Sequence, residues 1–295
     1  MTVSEPEATS DESEAIAGRS PGRPNRVLYS CVLAGYDRVL PPVRKSPGVD
    51  YVLFTDDPTL EVPGWDIRRI TLPAGKRPHL LNREIKFFPE KYLPGYDASI
   101  YIDGNLRVQG CVEPLFAILG QGFDIVLFRH PERTRVDEEI KAVIQYGKAP
   151  ADVLYREYEA LLEAGFRETG LLSENNMLLR RHGVEELHRA MTDWWQQVSG
   201  YSGRDQLSLH FFLQRHRCRT LVLPIHAREP NPFFCYYPHL GRWGGRLRGI
   251  DVSLAARRCE NPLRAALHSV WSGLRHYLRR PPQPRHPATG GRRAP

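Results

Sequence analysis

Asp103, Gly104 and Asn105 close a β-prone run that begins at Tyr96. Ile100, Tyr101 and Ile102 favour a pleated, packed strand, whereas Asp-Gly-Asn is turn chemistry, so the acid stands where the chain leaves the sheet. In open α/β sheets that edge is where ligands bind. A carboxylate there suits a hard cation, and a divalent cation beside a nucleotide diphosphate would offset the charge of the leaving group. The same three residues also read as an ordinary turn after an ordinary strand. Two more candidate strands end at an edge of this kind. Arg26 to Val32 runs into Ala34-Gly35-Tyr36-Asp37, whose glycine allows close approach of backbone to a ligand. Tyr51 to Thr55 ends in Asp56-Asp57-Pro58.

The rest of the chain supplies elements to hold these edges. The strand runs are continuously apolar rather than alternating, which points to a sheet covered on both faces. Trp65 to Ile70 is a third strand candidate, and His79 to Phe88 has helical spacing, with Leu80, Leu81, Ile85 and Phe88 on one side. After the 96–105 segment, Glu113-Pro114 opens a short helix and Asp124 to Phe128 forms a strand that ends at Arg129-His130-Pro131. Val136 to Tyr146 and Ala151 to Ala164 read as helices. A strand is expected over Asn176 to Leu179, preceded by Glu174, then a helix from Val184 to about Val198. Ser202 to Gln206 leads into an apolar segment, Leu207 to Leu213, and Thr220 to Leu223 is the last strand expected. Alternating strands and helices without an internal repeat predict a single α/β domain over 26–240 with a mostly parallel central sheet flanked by helices.

Composition bounds the partners. With 295 residues, 41% of them hydrophobic, the chain can bury one substantial core, and no apolar run approaches the length of a membrane span. The net charge of +7 is unevenly placed. Residues 241–295 hold twelve Arg and no Lys against Asp251 and Glu260, and residues 1–25 hold five acids against Arg19 and Arg23. The opposite charges of 26–240 balance, so basicity concerns a partner of the C-terminal segment and not the fold. The 1–25 segment lacks the basic start and apolar core of a signal peptide and is expected to be a disordered leader in a cytoplasmic protein. Residues 281–295, rich in Pro, Gly and Arg, are expected to lack order as well. Five widely spaced cysteines without Cys-x-x-Cys spacing indicate neither a disulfide framework nor a zinc site.

Within 241–280, Asn261-Pro262 starts a helix in which Leu263, Leu267, Val270, Trp271, Leu274, Tyr277 and Leu278 recur at helical spacing beside Arg264, His268, Arg275, Arg279 and Arg280. Such a helix can lie on an anionic membrane surface as a peripheral anchor, or dock its apolar stripe on the domain.

Several segments in order carry a resemblance: Tyr96 to Asn105, His130-Pro131-Glu132-Arg133, Asp137-Glu138-Glu139 with Lys141, Gly170 to Asn176, Arg180-Arg181-His182, and Arg204-Asp205-Gln206-Leu207-Ser208. Over roughly 26–223 the chain resembles the glycosyltransferase-like proteins of the plant TOD and MUCI type, which have bacterial members. More distantly it is similar to retaining transferases of the glycogenin and lipopolysaccharide galactosyltransferase kind. The resemblance implies a GT-A-like, Rossmann-related fold that moves a sugar from a nucleotide-sugar donor to a saccharide or lipid-linked acceptor, in polysaccharide or glycoconjugate synthesis. By the same resemblance, Ala34, Gly35, Tyr36, Thr55 and Asp56 border the nucleoside, and Arg83 and Lys86 meet the diphosphate. Asp103 takes the place of the first acid of an Asp-x-Asp metal motif for Mn2+ or Mg2+, with Gly104 between. The chain departs from that motif at Asn105, an amide that can ligate but brings no charge. His226 is the histidine that would complete such a site. Glu174, Asp205 and Gln206 surround the reacting sugar, with His130 and Arg133 on the acceptor side.

Each role has a structural alternative. Asp205 also reads as a helix N-cap, His226 as a structural histidine near Pro224, and His130 and Arg133 as partners of the acidic 137–139 run. Two other function classes stay open. One is a relative that binds nucleotide sugars without turnover, kept open by Asn105. The other is a nucleic-acid-binding module using the arginine-rich tail, against which the neutral body and the lack of a nucleic-acid motif both speak.

Overall fold

The apolar runs around residues 27–32, 51–55 and 98–102 form buried strands, in a computed structural model that describes residues 25–239 and 246–278. The expected leader, apart from Asn25, and the tail over 281–295 lie outside the described residues. In chain order the elements are β1 (Arg26–Val32), β2 (Asp50–Thr55), β3 (Asp66–Arg69), α1 (Pro78–Phe87), α2 (Pro89–Tyr92), β4 (Ala98–Ile102), β5 (Leu106–Val108), α3 (Glu113–Leu119) and β6 (Ile125–Arg129). They continue with α4 (Val136–Gln145), α5 (Ala151–Glu163), β7 (Ser173–Arg181), α6 (Glu185–Gly200), α7 (Leu209–Arg215), β8 (Thr220–Leu223), β9 (Phe234–Tyr236), α8 (Arg246–Arg257) and α9 (Pro262–Leu278).

The main sheet has seven strands in the order β3-β2-β1-β4-β7-β6-β8. Six run in one direction and β7 runs against both of its neighbours. The sheet is therefore mostly parallel, as the continuous apolar runs predict. Its two faces are covered as expected. Leu81, Ile85 and Phe87 of α1, Trp194 of α6 and Leu209 of α7 pack in one buried cluster, and Leu115, Phe116 and Leu119 of α3 pack in the other with Trp65 and Phe234. Phe87 and Trp194 meet edge to face at 3.8 Å between centroids, and burying each such side chain stabilises the fold by roughly 1.5–3 kcal/mol.

The reversed strand decides where the chemistry gathers. Because β7 is antiparallel, its first residues, Ser173 to Asn176, arrive at the edge where β4 and β6 end, and the Asp103 N–H donates to the Asn176 carbonyl at 2.9 Å. Glu174 thus lies inside a nine-residue strand and not ahead of a short one. A register shift between Leu127 and Phe128, opposite 174–178 of β7, interrupts the regular pairing there.

Four elements are absent from the sequence reading, the single turn α2 among them. Strands β5 and β9 pair antiparallel just beyond the Asp103 turn, and α8 packs on them. The buried guanidinium of Arg107 in β5 donates to the Ala256 carbonyl at 3.0 Å and to Glu260 at 2.7 Å, fixing the end of α8. β5 and β9 are three residues each, the latter enclosed by Pro232 and Pro238, and strands so short have too little length to show a period. No helix among the described residues is long and apolar enough to cross a membrane.

Candidate active site

Lys86 is placed by the core beneath it. It lies in the last turn of α1, where the carbonyls of Ile85 and Lys86 lie 3.2 Å from the Tyr29 hydroxyl of β1. Arg180 of β7 donates to that hydroxyl at 2.6 Å and to the Phe87 carbonyl at 3.2 Å, so three elements lock the turn. The Lys86 ammonium, almost wholly buried, then stands 5.0 Å over the Tyr101 ring, 2.7 Å from Asp205 Oδ2 and 3.7 Å from Asp103 Oδ1. Arg83, one turn earlier on α1, reaches the same Asp205 oxygen at 2.9 Å.

Asp205 arrives from the loop between α6 and α7. Its backbone carbonyl is held by the Trp194 indole N–H at 3.1 Å and the Asn175 amide at 2.9 Å, which turns the carboxylate toward α1. Burial by itself would raise the Asp205 pKa, but Arg83, Lys86 and Arg204 outweigh it and hold the carboxyl well below the usual range. Asp205 does not cap a helix. The N-cap of α7 is Ser208, three residues on.

The loops after β1 and β2 meet beside this cluster. The Ala34 N–H donates to both Asp56 oxygens, at 2.9 and 3.1 Å, and Ala34 and Gly35 both adopt left-handed backbone, with φ of +54° and +61°. Thr55 is buried, and its hydroxyl accepts from the Asp57 N–H at 3.1 Å. Tyr36 projects into solvent with its ring 5.3 Å from that of His239. Burial and the charges of Asp37 and Asp103 raise the Tyr36 pKa, opposed by Arg204 and Arg83, so this loop shares one electrostatic field with the Asp205 cluster. Gly104 is required by space. A Cβ there would lie 2.5 Å from Val32 Cγ2 and 3.1 Å from Asp37 Cβ.

Asn105 is buried and its side-chain nitrogen lies 3.3 Å from His239 Nε2, while His239 Nδ1 lies 2.8 Å from Asp37. Burial would lower the His239 pKa, but the Asp37 bond and the charges of Asp37 and Asp103 raise it overall. The histidine beside Asn105 is thus His239. His226, expected in that place, is buried with Nε2 on Glu229 at 2.7 Å.

Glu174 is buried on Arg228 at 2.8 Å, and its second oxygen has no hydrogen-bond donor among the described residues. Burial pushes its pKa up, Arg228 and His226 pull it down and Asp103 adds to the rise, leaving it raised. His130 and Arg133 are held by contacts with the acidic run that follows them. Arg133 Nε donates to the buried Glu139 at 2.6 Å, and His130 Nδ1 accepts from the N–H groups of Glu132 and Arg133 at 3.2 and 2.9 Å. Burial, then Arg133 and Arg228, lowers the His130 pKa to about 3, so this imidazole is neutral at physiological pH. Gln206 accepts from Arg204 at 3.1 Å, and Arg204 lies 4.0 Å from Glu139, joining this network to the Asp205 loop.

No protein-family model matches the chain, and no curated protein matches it in sequence. Among solved structures it is similar to mouse xyloside xylosyltransferase 1 in its apo form, with a TM-score of 0.42 and 11% identity over 68% of this chain and 84% of that one.

Among the described residues no group of three His, Cys, Asp or Glu side chains comes together as a cation cage. Asp103, one-third exposed, with the Asn105 amide, fits the sparser pattern in which Mg2+ takes one or two protein ligands and completes its shell with phosphate oxygens and water. Arg204, Arg228, Asp37 and His239 are members of the site to which the sequence reading gave no role. Arg204 opens the Arg204-Asp205-Gln206-Leu207-Ser208 segment, and its adjacency to Asp205 was the available signal. His239 follows the unrecognised β9 and carried none. An open depression of about 570 Å3 lined by Lys45, Asp50, Trp65 and Arg68 lies at the opposite edge, where β2 and β3 begin, away from this charge cluster.

Proposed function

We propose that this chain is a glycosyltransferase that moves a sugar from a nucleotide-sugar donor to a hydroxyl of a saccharide or lipid-linked acceptor. One observation carries the reading. Two acids 102 positions apart in sequence, Asp103 and Asp205, converge on the buried Lys86 at the carboxyl edge of a mostly parallel sheet, at 3.7 and 2.7 Å. That edge binds ligands in open α/β folds, and buried, mutually oriented charges cost no reorganisation when charge develops on a substrate.

In the reaction the bond from the anomeric carbon to the diphosphate breaks and a bond from that carbon to the acceptor oxygen forms. The acceptor proton leaves, and a nucleoside diphosphate is released. The loops of Ala34 to Tyr36 and Thr55-Asp56 frame the nucleoside. Lys86 and Arg83 offset negative charge on the departing diphosphate, and Asp205 holds both cations in place. Mn2+ or Mg2+, where bound, is held by Asp103 and Asn105 and supplies further charge compensation. Glu174, buried on Arg228 with its pKa raised chiefly by burial and its second oxygen unbonded among the described residues, takes the acceptor proton, while Gln206 and Arg204 brace the Asp205 loop.

Thermal melts with UDP, GDP and TDP test donor binding directly. The reading requires one diphosphate to raise the melting temperature of the native chain and to lose that effect in Asp103→Ala. No shift with any of the three would count against it.

A further inference from the structure

Helix α9 carries an apolar stripe that the fold leaves uncovered. Leu263, Leu267, Val270 and Leu274 are 70%, 51%, 71% and 48% exposed. At 3.6 residues per turn they fall within an arc of about 60°. The face of α9 turned to α8 and to the turn after it is a different one: the Trp271 indole bonds Asp251 of α8, and Arg264 pairs with Glu260 of the turn at 2.9 Å.

Charge identifies what the stripe meets. Residues 241–295 hold twelve Arg and two acids, whereas basic and acidic residues balance over 26–240. Both acids of the segment face inward, Asp251 toward Trp271 and Glu260 toward Arg107 and Arg264. A polyanion such as RNA would engage the arginines and gain nothing from four exposed aliphatic side chains. An anionic bilayer engages both, since stable surface attachment takes an apolar contact together with basic charge.

We propose that the outer face of α9 seats on an anionic lipid surface. The turn that follows α8 links that face to the candidate site: Arg258 donates to the Tyr236 carbonyl at 2.7 Å, and β9 continues into Tyr237, whose hydroxyl lies 2.7 Å from the Gly104 carbonyl. Resting on the transferase reading, this placement makes the acceptor a lipid-linked one.

The test is sedimentation of the full chain with vesicles of phosphatidylcholine alone and of phosphatidylcholine mixed with phosphatidylglycerol, at low and high salt, against Leu267→Glu/Val270→Glu. Expected is binding to the anionic vesicles only, weakened by salt and reduced roughly tenfold or more in the variant. The variant should keep its elution volume and donor turnover. Three results would each overturn the proposal: no anionic binding, unchanged binding by the variant, or a wild-type dimer that the variant converts to monomer. The vesicle readout needs no turnover, so it can fail while the transferase reading stands, and the reverse.

Discussion

Asp205→Asn removes the carboxylate that pairs directly with both Lys86 and Arg83 while sparing the backbone carbonyl that Trp194 and Asn175 hold. Lys86 is then left buried, with Asp103 at 3.7 Å as its remaining acid. Breaking a buried ion pair from one side costs about 3–5 kcal/mol, because a desolvated charge loses its partner. At roughly 2–4 °C per kcal/mol for a domain of this size, the melting temperature falls by about 6–20 °C. Lys86→Met alone costs about 3 kcal/mol, at the lower end because Arg83 still pairs with Asp205. In the double variant the two losses overlap. Its destabilisation should fall short of the sum by about 1–3 kcal/mol, the coupling expected of groups in direct contact. The pH dependence carries a definite sign. The folded-state pKa of Asp205 is depressed, so its stabilisation is fully present above the unfolded value of about 3.9 and is lost as pH falls through the folded value. The gap between wild type and Asp205→Asn is therefore constant near neutrality and narrows in acid. Urea unfolding followed by tryptophan fluorescence, for all four proteins at several pH values, measures both effects. Strict additivity, or an Asp205→Asn protein as stable as wild type, would refute the argument.

Two further predictions concern the same edge. Gly104→Ala drives a methyl into Val32 and Asp37 and should destabilise by about 1–3 kcal/mol, read as a lower urea midpoint at unchanged slope. Glu174→Gln should abolish the acidic limb of the kcat/KM profile, which in the native chain lies above the ordinary glutamate value of about 4.3, and lower turnover about 10²–10⁴-fold. A limb that persists in the variant would remove Glu174 from the proton transfer.

The strands and the edge were legible because local chemistry marks them. β1, β2 and β4 are apolar runs that end in Ala-Gly, Asp-Asp-Pro and Asp-Gly-Asn, and the structure closes them there. The ion cluster was not legible, since nothing local relates Lys86 to Asp205 across 119 positions. Asp205 before an apolar helix looks like a cap, and only the fold shows that Ser208 holds the cap position while Asp205 turns to α1. His226 and His239 are chemically equivalent in sequence. Pairing of β9 with β5, an interaction between distant segments, brings His239 to Asn105. His130 and Arg133 belong to the buried Glu139 network, an outcome set by burial, which a row of polar residues does not reveal. The direction of β7 was hidden as well, and with it the route by which Glu174 reaches the edge.

The most direct test of the central claim is donor turnover by the full chain across UDP-, GDP- and TDP-sugars, each with Mn2+, with Mg2+ and with chelator, for wild type and Asp103→Ala. Expected is release of one nucleoside diphosphate from one preferred donor, with turnover sharply reduced in Asp103→Ala at temperatures where the variant remains folded. Equal turnover by wild type and Asp103→Ala on every donor, or no donor consumed under any of these conditions, would contradict it.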